Sequence, residues 1–139
     1  MGQYFLIFNE AKNEYIHPHD FGDGAKLLEL GTSSHGAMTA LTLLLRQSSA
    51  SEGVGGDYHG PPGEVVGRWA GDPIKIVGDY DESGDYNRAQ DAGSNISLTV
   101  LVAMAEDPFL RQELKVRLAW RIPTLPPQEA KVLAKALGL

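Results

Sequence analysis

Gln3-Tyr4-Phe5-Leu6-Ile7-Phe8-Asn9 is the stretch on which the fold turns. Aromatic and β-branched side chains suit a pleated surface, so these seven residues predict a strand. The run is apolar on both parities, with Tyr4, Leu6 and Phe8 on one side and Phe5 and Ile7 on the other. A strand of that kind is covered on both faces, which places it inside a sheet rather than at its border. Glu14-Tyr15-Ile16-His17 is a second β-type run, and the polar residues 10–13 between the two complete a hairpin.

Working outward, residues 20–24 read as a glycine-aspartate turn, and residues 26–30 as a short helix or strand that stops at Gly31. Thr32, Ser33 and Ser34 offer N-caps, and Met38, Leu41, Leu44 and Leu45 recur at spacings of three and four, which predicts a core-packed helix over 34–47. From 47 to 63 the chain turns to Ser, Gly, Pro, Tyr and His, a long connection with almost nothing to bury. A second strand pair is expected at 64–69 and 74–77 around Ala70-Gly71-Asp72-Pro73. The acidic stretch 79–85 and a polar segment up to Ser94 follow. Asn95 or Ser97 can cap a helix carrying Leu98, Leu101, Val102 and Ala105, and Asp107-Pro108 can open another with Leu110, Leu114 and Leu118 four apart. Phe109 and Trp120 are expected to add bulk there, Trp69 and Trp120 to anchor the core, and Pro123, Pro126 and Pro127 to end the helix. A terminal helix then aligns Ala130, Leu133 and Leu137.

Two hairpins followed by helices predict an α+β fold, an antiparallel sheet with helices packed on one face. Residues 1–122 form the expected domain, with 123–139 a proline-joined helix packed on it or on a neighbouring chain. The 139 residues suffice for one core, and 42% hydrophobic with 22% charged residues is an ordinary globular balance. With no cysteine, disulfides, thiolate metal sites and thiol nucleophiles are excluded. No basic leader with an apolar run and no membrane-length apolar segment is legible, so a cytoplasmic protein without membrane attachment is expected. Net charge is −6, and the one basic group, Arg111, Lys115, Arg117 and Arg121, reads as a solvated helix face. Nucleic acid is not an expected partner of so acidic a chain.

Three constellations could carry chemistry. His17-Pro18-His19-Asp20 places two imidazoles two residues apart, on one side of an extended segment, where they could share a divalent cation with Asp20, Asp23 or His35. Asp79-x-Asp81-x-Ser83-Gly84 matches the first half of a calcium loop, although the twelfth position is Gln90 and the loop follows a strand. Asp57, Tyr58 and His59 set an acid, an aromatic and a base among the glycines and serines of the long loop, and with Arg68 they are the expected ligand-binding residues. No nucleophile elbow, phosphate loop or dinucleotide fingerprint is present.

The opening Met1-Gly2-Gln3-Tyr4, His17-Pro18-His19, Gly22-Asp23-Gly24-x-Lys26-Leu27, Gly67-Arg68-Trp69-Ala70-Gly71-Asp72 and Gly78-Asp79-Tyr80 together resemble a group of small prokaryotic and phage-type proteins. The resemblance runs over roughly the first 110 residues. That group carries no assigned activity, so it implies no catalytic or binding residue, only a microbial cytoplasm.

With no complete catalytic set legible, the leading expectation is a soluble, non-catalytic binding or interaction domain whose glycine-rich loops meet a small ligand or a protein partner. It is expected to form homo-oligomers through its N-terminal strand or terminal helix. The rival is a metal-dependent hydrolase in which His17, His19 and an aspartate hold the ion that activates water.

Overall fold

The computed structural model describes residues 2–47, 58, 60 and 63–139. Strand β1 (Phe5–Asn9) pairs antiparallel with β2 (Glu14–Ile16) in the register Ile7 to Ile16 and Phe8 to Tyr15. On its other side β1 pairs antiparallel with β3 (Lys75–Gly78), Leu6 facing Val77 and Ile7 facing Ile76. A two-residue β4 (Ser94–Asn95) joins β2 in parallel, so the sheet order is β3-β1-β2-β4. As its apolar parities predict, β1 is interior, and Leu6, Ile7 and Phe8 are fully buried.

Two expectations are corrected. The sheet is mixed rather than antiparallel, and helices cover both of its faces. One cause accounts for both: β3 and β4 run the same way, and parallel strands need a crossover between them. That crossover is residues 79–93, and it contains α3 (Asp85–Ala92), a helix hidden in the sequence because its inner face is little more than Ala89 and a half-buried Tyr86. Leu6, Phe8, Val77 and Ala89 form the small core beneath it.

The opposite face carries the main core. Ile7 and Ile16 meet side chains from α1 (Leu27–Gly31), α2 (Ala37–Leu45), α4 (Ser97–Met104), α5 (Pro108–Leu118) and α6 (Pro127–Leu137). The ambiguous 26–30 piece is helical, closed by the Glu29 carboxylate reaching back to the Lys26 N–H (3.1 Å). Helix α2 starts only at Ala37, because His35 takes a left-handed conformation (φ 59°). Asp107 caps α5, accepting from the Phe109 and Leu110 N–H groups. The terminal helix α6 packs on α4 and α5 and buries Leu133 and Leu137 in the same core.

The expected strand at 64–69 is a series of turns. The backbone N–H groups of Gly67 and Trp69 donate to the carbonyls of Leu43 and Leu44, both at 2.8 Å. Those carbonyls lie in the last turn of α2, so the segment caps a helix instead of pairing with β3. Trp69 is fully buried, as expected of an anchor. Trp120, 68% exposed, is not, and Phe109 is exposed as well. The Leu110, Leu114 and Leu118 stripe fills the inner face of α5, and Phe109, one residue away, is rotated about 100° from it.

Candidate functional site

After β2 the chain enters a single 3-10 turn, Pro18–Phe21. His17 precedes it in extended conformation, and its Nδ1 accepts the His19 N–H (3.2 Å), which caps the turn and leaves the neutral ring's proton on Nε2. The His17 backbone N–H is itself held by Ser97 Oγ at the start of α4 (3.0 Å). Gly22 closes the turn at φ 82°, a conformation that a Cβ would strain. The two imidazoles lie 4.8 Å apart, tilted by 37°. Burial pushes the His17 ring below its ordinary pKa, aided by the charges of His19 and Arg121 and opposed by that of Asp20.

Asp20 is the chemical centre of this turn. One of its oxygens accepts from Arg121 Nη2 (2.7 Å) and the other from Asn95 Nδ2 (3.0 Å), while Arg121 Nη1 donates to the His19 carbonyl. Arg121 comes from the 3-10 segment Ala119–Thr124 that follows α5, and Asn95 from β4. Between them and α6 opens a cleft of about 360 Å³, lined at its mouth by Asp20, Asn95, Arg121, Thr124 and Glu129. Its floor is apolar, made by Leu98, Leu101, Leu125 and Leu133. Size and lining fall within the range of small-molecule sites, about 300–1,000 Å³ with a few convergent polar groups.

Of the residues singled out in the sequence, Asp20 lies in this cleft and His17 and His19 adjoin it through the same turn. His35 stands apart, 3.7 Å from Glu113 and edge-on to Phe109. Asp79 accepts the Tyr4 N–H (3.1 Å), and Asp81 folds onto the N–H and hydroxyl of Ser83. The six expected metal ligands are therefore spread over three places, and among the described residues no three His, Asp or Glu side chains group so as to hold an ion.

The expected ligand-binding set divides likewise. Asp57 and His59 lie outside the described residues. Tyr58 is half-buried against the main core, where its hydroxyl donates to the Ala103 carbonyl (2.8 Å). Arg68 grips Glu14 through Nε (3.0 and 3.2 Å) and Nη2 (2.5 Å), and Trp69 Nε1 adds a third donor at 2.8 Å. The Arg68 hydrogen bonds hold the Glu14 carboxyl below its ordinary pKa against the cost of burial. Arg68 thus fastens the turns at 64–72 to the hairpin, a structural task.

The sequence reading missed Asn95, Arg121 and Glu129. For Arg121 a signal existed: Arg117 and Arg121 are four apart and Asp23 and Asp20 three apart, and each arginine takes one aspartate. The basic group is therefore, for these two members, a pair of clamps rather than a solvated face. Comparison with family models, with curated proteins and with solved structures returned no match to this chain. Among the described residues no helix is long and apolar enough to cross a membrane.

Proposed function

We propose that this chain is a non-catalytic binding domain that takes a small amphipathic molecule in the cleft beside Asp20 and Arg121. One observation carries the reading: a leucine floor beneath a mouth of two carboxylates, Asp20 and Glu129, and three further hydrogen-bonding side chains, Asn95, Arg121 and Thr124, walled on one side by the glycine-closed histidine turn. Binding is favoured over turnover because both Asp20 oxygens are engaged and His17 Nδ1 is committed to the backbone. The Arg121 guanidinium is shared between Asp20 and the His19 carbonyl, so Glu129 leaves the mouth net acidic. A cationic or donor-rich head group against Glu129, with an apolar tail on Leu98, Leu101 and Leu133, fits that pattern.

The test uses three matched probes, an alkylammonium, an alkylcarboxylate and an alkanol of one chain length, titrated while backbone amide resonances are followed. The ammonium probe should shift cleft residues at the lowest concentration, and Glu129→Gln should weaken it up to about fivefold, the worth of an exposed ion pair. Equal response to all three probes, or none at the cleft, would sink the reading.

A further inference from the structure

One imidazole nitrogen fastens the wall of the cleft. His17 Nδ1 accepts the His19 N–H (3.2 Å), and the His17 carbonyl accepts the Asp20 N–H (3.0 Å). The His19 carbonyl in turn accepts from Arg121 Nη1, and Arg121 Nη2 reaches Asp20 (2.7 Å) at the mouth. A chain of hydrogen bonds therefore runs from His17, which does not line the cleft, to two side chains that do. Its first link depends on protonation, because Nδ1 accepts only while it carries no hydrogen. In the imidazolium both nitrogens are donors, so the ring and the His19 N–H meet donor to donor and the cap is lost. The same cation competes with Arg121 for the nearby Asp20 carboxylate.

We propose that His17 is a proton switch on the cleft: the neutral ring holds the wall in place for binding, and protonation loosens the turn and weakens binding. The switch rests on the reading of the cleft as a binding site. For a cationic head group the added positive charge acts in the same direction. The surroundings leave the change to this ring. Strands β1 and β4 and helix α4 carry no charged residue, and α4 holds the His17 N–H through Ser97 Oγ (3.0 Å). From β2 come Glu14, gripped by Arg68, and Tyr15, a phenol that burial keeps neutral. Helix α5 brings Arg117, which is engaged by Asp23 and the Ser34 carbonyl. Asp20, His19 and Arg121 are the charges that act on the ring, and α6 adds Glu129 at the mouth. Burial opposes the charged ring, so the change falls on the acid side of pH 6.5.

The test titrates the alkylammonium probe into the full chain from about pH 7.5 to about pH 5.5, a window above the ordinary carboxylate range. The His17 ring resonances are followed with and without the probe. Affinity should fall about threefold towards the acid end, within the roughly fivefold that one cap hydrogen bond is worth. Coupling is reciprocal, so the ring should hold its proton about threefold less tightly when the probe is bound. His17→Asn keeps an acceptor for the His19 N–H but takes up no proton, and its affinity should stay level with pH. His19→Asn should retain the fall. Binding at pH 7.5 that does not weaken, a fall that persists in His17→Asn, or one that vanishes in His19→Asn overturns the switch and leaves the binding site standing. No response at the cleft at any pH overturns both. Should His17→Asn fail to fold, the ring itself decides: a His17 titration that the bound probe leaves unmoved overturns the proposal.

Discussion

Arg117 and Arg121 perform the same act four residues apart, with opposite consequences. Each guanidinium sends one nitrogen to a backbone carbonyl, of Ser34 and His19 respectively, and the other 2.7 Å to an aspartate, Asp23 and Asp20. The inner pair is sealed: the Asp23 side chain is 6% exposed, and its second oxygen takes the Ala37 N–H (2.7 Å) and the Ser33 hydroxyl (2.8 Å). The outer pair is open: Asp20 is 25% exposed, and its second oxygen takes only Asn95 at the lip of the cleft. Saturation separates a fastening from a site. The inner aspartate caps α2 and has nothing left to offer, while the outer one forms the wall of a cavity.

Removing each aspartate breaks or sharpens this contrast most directly. Asp23→Ala deletes a helix cap and removes a nearly buried carboxylate from the Ala37 N–H, the Ser33 hydroxyl and Arg117, and should cost about 3 kcal/mol. Asp20→Ala breaks a pair with access to solvent and should cost about 1 kcal/mol or less. Urea denaturation of both variants measures the difference. Equal losses would mean that the outer pair is also structural, and the cleft would lose its claim to be more than a gap between elements.

The pH dependence sharpens the contrast at the outer pair, where His17 adjoins Asp20 and Arg121. Burial lowers the folded His17 pKa below 6.5, so the unfolded chain takes up its proton first as pH falls. Stability from this group is therefore complete above pH 6.5 and declines below it, until the folded ring also protonates. A second loss begins below 4.5, where Glu14, its folded pKa depressed by Arg68, must be protonated. His17→Asn keeps an acceptor for the His19 N–H and removes the first decline. Urea midpoints from about pH 7.5 to about pH 5.5 should fall in the parent chain more than in the variant. Parallel curves would show that His17 is as accessible as a free imidazole.

How much of this was legible follows from which interactions are local. The hairpin, the interior position of β1 and the α5 leucine stripe are written in residues two to four apart, and the sequence reading found them. The cleft is not, because Asp20 meets Asn95 and Arg121 across separations of 75 and 101 residues. The turns at 64–69 misled for a similar reason. Val65, Val66 and Trp69 have strand-like composition, but the carbonyls of Leu43 and Leu44 claim the backbone donors of Gly67 and Trp69. Helix α3 escaped because a crossover helix over a small sheet needs little more than one alanine against it.

The smallest expected effect falls at the exposed tryptophan between the two clamps and α6. Trp120 directly precedes Arg121 and was expected in the core, yet it is exposed, and among the described residues no ring contact or hydrogen bond from its indole fastens it. Trp120→Ser should change stability by less than about 0.5 kcal/mol, the range for surface positions. The contrast with Trp69 is the measure, since Trp69→Phe keeps an aromatic ring but removes the donor to the Glu14 carboxylate at 2.8 Å. That change should cost about 1 to 3 kcal/mol, because it leaves a mostly buried acceptor short of one partner. Fluorescence gives an independent check: an aqueous quencher should act on Trp120 and spare Trp69. A large destabilisation by Trp120→Ser would mean that the segment between the two arginines is packed, and that the cleft beside it is narrower than its walls imply.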